Sequence, residues 1–423
     1  SAENASSALS VSTFVVDTTA PTVFSVFPTD NQSEIVEITT DNITVTFSEA
    51  MDNTSVTTNT DNTSCYGTLG LSSDNFSNCV QFSSAPASSN SFKTYTVAPS
   101  DNLSLDTTYK IRVTTGVKDV AGNTLNSQYE TSDGFKTFPK FVAVGGTGQI
   151  FTSSDNETIW TPRTSGISTN IQSVTYGGGI LVAAGNSGVI LTSTNATTWI
   201  SETSSGTSWS AVSDGVSDTL GGVAYGNGMH IIAGGSGTIL TSVDNGSSWT
   251  TQTSGTSESL IEISYLNNSF FATGAGGTII SSTNGVSWTS KTSNYPYNIY
   301  DMAYGNGIYL FVTFDGVIKT SSNGTNWTSQ GQPARNTMMN SVAYGNGTFV
   351  VVGNSGLILT TTNGNSPYNI QYHSTQDTIM KVTFGNGIFV AGTMNGRIFT
   401  SSDGTTWTTR TSGTTEALNG ITF

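Results

Sequence analysis

Charge is what this chain has least of. Of 423 residues, 13 are Lys or Arg and 28 are Asp or Glu, so 10% are charged and the formal balance is −15. Cations this sparse and scattered exclude the basic footprint of a nucleic-acid binder or of a protein held on an anionic bilayer. Two histidines, His230 and His373, and two cysteines, Cys65 and Cys79, leave no His–His or Cys–His spacing for a metal. No apolar run is long enough to cross a bilayer as a helix. There is no phosphate loop and no dinucleotide fingerprint, because the glycines mark hairpins and not strand–helix junctions. The reading at this point is no cofactor, no metal, no nucleic acid and no membrane insertion.

Ser, Thr, Asn and Gly fill the space that charge vacates, while 35% of residues are hydrophobic and regularly placed. That pattern describes an all-β protein with polar faces and many turns, not a disordered one. The chain starts at Ser1 with no leader in view, which fits a mature secreted chain and an extracellular or bacterial cell-surface location. In that compartment Cys65 and Cys79 are expected as one disulfide, stabilising by roughly 3 kcal/mol for a loop of this size.

Six tryptophans set the organisation: Trp160, Trp199, Trp249, Trp288, Trp327 and Trp407 lie 39, 50, 39, 39 and 80 residues apart. A period near 40 is the mark of a repeat architecture, and its missing beat falls at Pro367–Tyr368. Tyr225-Gly-Asn-Gly228, Tyr304-Gly-Asn-Gly307, Tyr344-Gly-Asn-Gly347 and Phe384-Gly-Asn-Gly387 lie between apolar alternating runs. Asn-Gly there predicts a type I′ hairpin with positive φ twice. A Gly-rich turn, a third strand and a tryptophan-bearing turn follow, giving four short strands per repeat. The tryptophan turns read Ser242-Val-Asp244-Asn-Gly246-Ser-Ser-Trp249 or Ser401-Ser-Asp403-Gly404-Thr-Thr-Trp407. They resemble the Asp-box, or BNR repeat, and that resemblance implies a β-propeller with the Asp or Asn bonding turn amides and the Trp packed between blades. Residues 139–423 are therefore expected as seven blades. Phe423 takes the place of Tyr344 and Phe141-Val-Ala-Val-Gly145 the strand after it, so the C-terminal strand should close the ring.

Residues 19–138 lack the period. Short runs at 22–27, 43–47, 80–82, 92–97 and 109–113, bounded by turn residues, predict a β-sandwich. Asp17-Thr-Thr-Ala-Pro21, Val45-Thr-Phe47-Ser-Glu-Ala-Met51-Asp52, Leu105-Asp-Thr-Thr-Tyr109 and Val117-Lys-Asp119-Val-Ala-Gly122-Asn123 resemble a bacterial Ig-like domain of the S-layer type. Phe47 is expected in its core with Met51 over it, Gly122–Asn123 in a turn, and Asp119 or Glu49 as loop carboxylates able to ligate calcium. Residues 1–18 form an extended segment. Its Leu9, Val11, Phe14, Val15 and Val16 are candidates for donating a strand to a neighbouring subunit.

Asp-box propellers include sialidases and glycoside hydrolases. Arg163, Arg335, Arg397 and Arg410 cannot form the arginine triad of a sialidase, because Arg163 and Arg410 are equivalent outer-strand residues. Hydrolysis by two carboxylates needs a facing pair. Glu262, Asp301, Asp315, Asp214 and Asp218 are the acids near such places, and nothing in the sequence pairs them. Paired acids in the channel would favour an enzyme; a channel of Ser, Thr and Gly would sink one. His230 stands where other copies are apolar, as a core residue does.

The blade-to-blade linkers break the repeat, and they share a face opposite the Asn-Gly turns. They carry Trp209, Tyr295, Tyr297, Tyr300, Arg335, Met338, Met339, Tyr368 and Tyr372, the aromatic, Arg and Met composition of a contact surface. The function expected is a non-enzymatic surface structural protein, self-associating into a filament or surface assembly. The alternatives are an adhesin whose propeller face binds glycan or protein, and a carbohydrate-active enzyme.

Overall fold

The computed structural model describes residues 16–30, 43–101, 103–104, 107–137, 141–153, 159–201 and 219–423. Leu9, Val11, Phe14, Val15, Trp209, Asp214 and Asp218 lie outside the described residues. The chain divides into two compact units, Ser1–Thr137 and Phe138–Phe423.

The first unit is a sandwich of two antiparallel sheets. One runs Val23–Phe27, Ile43–Phe47, Thr94–Val97, Ala87–Ser89; the other runs Leu69–Ser72, Thr108–Val113, Tyr129–Glu130, with Phe135–Lys136 also on Thr108–Val113. Alternation decides which side chains face inward. Ile43, Val45 and Phe47 are buried, and so are Tyr109, Ile111 and Val113. Phe47 meets Tyr95 edge-on at 5.9 Å, and Met51 is buried in the same core. Gly122 takes φ +94 in its turn. The expected strand at 80–82 is only a bridge from Phe82 to Pro99. Leu69–Ser72 is a strand that alternation did not mark, because all four of its residues are buried and no polar face shows. Cys65 and Cys79 form the disulfide, 14 residues apart.

The second unit is a seven-bladed β-propeller, each blade a four-stranded antiparallel sheet. The innermost strands of blades 1 to 7 are Ile171–Gly177, Leu220–Gly226, Leu260–Leu266, Ile299–Gly305, Met339–Gly345, Ile379–Gly385 and Leu418–Thr422. Each packs on the next, and the seventh packs on the first. Blade 7 takes that strand from the C-terminus and its other three from Phe141–Gly145, Ile150–Ser153 and Trp160–Arg163. Closure thus joins the two ends of the unit in one sheet.

The tyrosine-glycine-asparagine-glycine signature divides its work among its residues. Its first glycine lies under the ring of the next blade: a Cβ on Gly305, Gly345 or Gly385 would come within about 2.1 Å of Tyr344, Phe384 or Phe423 respectively. Asn and the second glycine take positive φ, as at Asn346 (46°) and Gly347 (76°). The asparagine side chain then donates to the next blade, Asn346 Nδ2 reaching the Ser402 carbonyl at 3.1 Å.

Among the described residues, the turns before Trp199, Trp249, Trp288, Trp327 and Trp407 close on a side-chain oxygen of Asn195, Asp244, Asn284, Asn323 and Asp403. Asp403 Oδ1 accepts the amides of Thr405 and Thr406 at 2.7 Å, and the Trp407 indole donates to the Gly404 carbonyl at 3.0 Å. Trp249, Trp288, Trp327 and Trp407 all pack into a core shared with the preceding blade. The indole N–H of Trp327 is buried without a partner.

Candidate functional site

Two places break the repeat: the channel at the centre and the face that carries the linkers.

In the channel, the third residue of each innermost strand is Ser173, Gly222, Glu262, Asp301, Ser341, Lys381 and Gly420 in blade order. Small residues fill four of these positions, and three charges fill the others. Lys381 Nζ reaches Glu262 Oε2 at 2.5 Å and Asp301 Oδ2 at 3.1 Å. Asp301 Oδ2 also accepts from Ser341 Oγ at 2.6 Å and from the Val342 amide at 3.1 Å, and Oδ1 accepts from the Met302 amide at 2.8 Å. Ser341 Oγ in turn accepts from the Val382 amide at 3.2 Å. The clasp therefore ties blades 3, 4, 5 and 6 across the axis.

Burial drives the Glu262 carboxyl above its ordinary range; the ammonium of Lys381 pulls it back, and Asp301 adds to the rise. Burial alone would push Lys381 down, but Asp301 and Glu262 outweigh it and hold the ammonium above the ordinary lysine range. A cavity of about 220 Å³ adjoins the clasp, lined among others by Ser173, Thr175, Tyr225, Ser264 and Tyr265. Sequence reading named Glu262 and Asp301 but left them unpaired. The structure brings them together on Lys381, a residue it did not single out. Counting three residues back from the signature aromatic finds all of them: Tyr265, Tyr304, Tyr344 and Phe384 lead to Glu262, Asp301, Ser341 and Lys381.

Chemically, this pair is clamped. A nucleophilic or basic carboxylate needs a free oxygen in reach of substrate. Asp301 Oδ2 already accepts three donors and Glu262 Oε1 accepts the Ile263 amide at 3.1 Å. His230 is buried against Tyr225, ring centroids 4.7 Å apart, and burial lowers it to about 4. Arg163 and Arg410 each donate from Nε to a threonine hydroxyl of the neighbouring strand, at 2.9 and 3.0 Å. Arg397 pairs with Asp377. Asp315 sits in the turn after the second strand of blade 4, away from the channel.

The linker face carries the predicted contact residues unevenly. Tyr297 and Tyr372 are exposed, as is Arg335; Tyr295, Tyr300 and Met338 are half-buried. Met339 is corrected by the structure. It is fully buried as the first residue of an innermost strand, where every blade has an apolar side chain. Tyr368 is corrected too. It packs into the core between blades 4 and 5, and its hydroxyl donates to the Gly364 carbonyl at 3.0 Å, the bond that the indole makes elsewhere. Burial raises its hydroxyl to about 12. The missing tryptophan is thus replaced in kind. Sequence reading missed Phe314 and Met394, both more than half exposed, where the turns of the other blades carry small or polar residues.

In the first unit, Asp17, Glu49 and Asp119 bring carboxylate oxygens within 4.8 Å of one another. Asp119 is already engaged by the amides of Ala121 and Asn123 at 2.8 Å. Val16, a strand-donation candidate, is exposed.

The fold defines an Ig-like domain followed by a seven-bladed β-propeller. A family model described as Bacterial Ig-like domain matches residues 17–138. With the disulfide, that match points to an extracytoplasmic surface protein. Among solved structures, YCF48 from Cyanidioschyzon merolae is similar at 15% identity, over 63% of this chain and 92% of that one, with TM-score 0.50. Virginiamycin B lyase from Staphylococcus aureus matches at 14% identity, over 59% and 89%, with TM-score 0.47. A YCF48 bound to a D1 peptide matches at 16% identity, over 57% and 80%, with TM-score 0.46. Such likeness concerns the fold alone. No curated protein matches the sequence.

Proposed function

We propose that this protein is a non-enzymatic surface protein in which the propeller is a contact head and its linker face the contact surface. The observation that carries this reading is where the repeat departs from itself. The turn face keeps its signature from blade to blade, whereas the linker face exposes Tyr297, Phe314, Tyr372, Met394 and Arg335. Ile159, Val243 and Val286 are exposed at the tryptophan turns, but the propeller's exposed Tyr, Met and Arg side chains, among the described residues, gather on the linker face, and those are the composition of an interface. The tryptophan turns are read as Asp-boxes, which here are scaffold, since the side-chain oxygens bond turn amides and the Trp199, Trp249, Trp288 and Trp407 indoles donate within their own blades. The clamped state of Glu262 and Asp301 weighs against hydrolysis. The test is adhesion of the full chain to a cell surface, compared with a variant carrying Tyr297→Ala, Phe314→Ser, Tyr372→Ala and Met394→Ser together. Loss of adhesion with native circular dichroism is expected; unchanged adhesion sinks the reading.

Assembly into a filament is the second reading, favoured by one observation. Val23–Phe27 is an edge strand that pairs only with Ile43–Phe47 among the described residues, and Phe24 on it is 78% exposed. An open edge accepts a donated strand. Negative-stain microscopy of the full chain should show filaments that vanish when residues 1–16 are removed; a monodisperse monomer rejects assembly.

A further inference from the structure

Seven copies of one blade supply an internal control, and blade 4 departs from it most. At one and the same register position of the third strand stand Phe151, Leu191, Leu240, Ile280, Leu359 and Phe399 in six blades and Lys319 in blade 4. Lys319 is 7% exposed, and its Nζ donates to the carbonyls of Ser293 at 3.0 Å and Asn294 at 2.6 Å. The ring of Tyr295 lies 5.6 Å from that ammonium. The Tyr295 hydroxyl donates to Asp315, which also accepts from Thr313 Oγ1 at 2.9 Å and from Gln332 Nε2 at 3.3 Å. The Phe314 amide donates to the Asn298 carbonyl at 3.3 Å. Both linkers of blade 4 and the turn between them are thereby locked together.

A buried ammonium is costly where six relatives use a hydrocarbon. Its effect here is to fix the backbone beneath Tyr297 and Phe314, which are 56% and 54% exposed, with exposed Arg335 on the neighbouring linker. Drifting surface loops have no need of such an anchor; a rigid binding corner does.

Resting on the reading of the linker face as the contact surface, we infer that this corner of blade 4 binds a neutral glycan. Two exposed rings offer flat faces for the C–H side of sugar rings. Exposed Arg335 supplies donors for hydroxyls, and the Tyr297 hydroxyl can donate or accept. Charge selects against other polymers. The propeller itself holds 8 Lys or Arg against 13 Asp or Glu, a balance of −5 that weakly repels a polyanion, while Lys319 and Arg335 against one Asp315 leave the corner cationic and disfavour a polycation.

The test is calorimetric titration of the full chain with neutral oligosaccharides of glucose, N-acetylglucosamine, mannose and xylose, with oligogalacturonate alongside. Saturable binding to at least one neutral series is expected. Tyr297→Ala and Phe314→Ser should each weaken it about tenfold or more, and Val243→Ser, at a 76% exposed position of the tryptophan turn of blade 2, should leave it unchanged. Both rings are exposed, so the variants keep native circular dichroism, and Arg335→Gln gives a further check by weakening the same binding. No neutral binding, preference for oligogalacturonate, or affinity unchanged by both ring variants overturns the inference. Adhesion lost in the fourfold linker-face variant while no neutral sugar binds overturns the glycan alone; adhesion kept in that variant overturns the contact face as well.

Discussion

At the scale of single residues, the informative positions are those where one blade does with different chemistry what its neighbours do alike. Tyr368 offers a ring and one donor, as an indole does, and finds the same kind of carbonyl. Tyr368→Phe should keep the packing and orphan the Gly364 carbonyl, costing about 1 kcal/mol; Tyr368→Ala should cost about 3–5 kcal/mol, both read from urea unfolding. Lys381 has no counterpart. Its removal leaves two carboxylates facing each other in the channel, so Lys381→Met should destabilise the propeller by about 3 kcal/mol. Recovery on adding Glu262→Gln and Asp301→Asn is expected, and a neutral single substitution would show that channel water screens the acids. The sign of the pH effect follows from the lysine. Its folded-state pKa is raised, so its contribution is complete below the ordinary lysine range and is lost as pH climbs through and above it. Asp30 behaves oppositely. Slight burial works against its ionised form, but Ser132, Gly134 and Asp133 donate four hydrogen bonds at 2.7–2.9 Å and hold it down at about 2. Its contribution is present above the ordinary aspartate range and fades as pH falls from about 4 towards 2, a limb that Asp30→Ala should remove from the stability profile of the first unit.

At the scale of elements, two glycines of one signature fail for different reasons when replaced. Gly345→Ala puts a methyl into the ring of Phe384, a packing fault between blades costing about 1–3 kcal/mol. Gly347 faces open space but holds φ +76. Gly347→Ala should therefore cost about 1 kcal/mol through backbone strain. Thermal unfolding of the pair should rank Gly345→Ala as the worse; the reverse order would mean the aromatic ring can move aside. The hairpins were legible in the sequence because Asn-Gly states its own backbone conformation. The packing glycine was not, because its reason is a side chain some 40 residues away. The same distance hid the clasp: Glu262, Asp301 and Lys381 look like stray charges until the strands are set in register. In the first unit Leu69–Ser72 escaped because a strand buried on both faces carries no alternation, and the expectation of Met339 as a contact residue came from reading a linker one residue too far into the strand.

At the scale of the whole molecule, the question is what makes seven weak sheets one object. Each blade buries its faces against two neighbours, so a ring with a gap exposes two apolar faces at once. Blade 7 supplies the seal by taking its first strand from the far end of the chain. Leu418 and Ile421 are buried in a core that includes Phe141, Ala143 and Trp160 of the same blade and Val390 and Ile398 of blade 6. Phe423 meets Phe141 at a tilt, ring centroids 5.4 Å apart, and covers Gly385. Asn419 Nδ2 donates to the Ile171 carbonyl at 3.0 Å and so reaches blade 1 across the seam. Removing residues 418–423 therefore strips an edge from Phe141–Gly145 and opens both neighbouring interfaces. The expected result is a propeller that loses its near-ultraviolet circular dichroism and cooperative melting while short-range strand structure persists. A peptide of residues 414–423 added in trans should restore both in a concentration-dependent way, because the vacant edge offers the backbone partners and the apolar pocket that the native strand occupies. An unchanged melting temperature after the truncation would mean that six blades hold the ring without the seal, and the C-terminal strand would then be an ornament on a structure closed by other contacts.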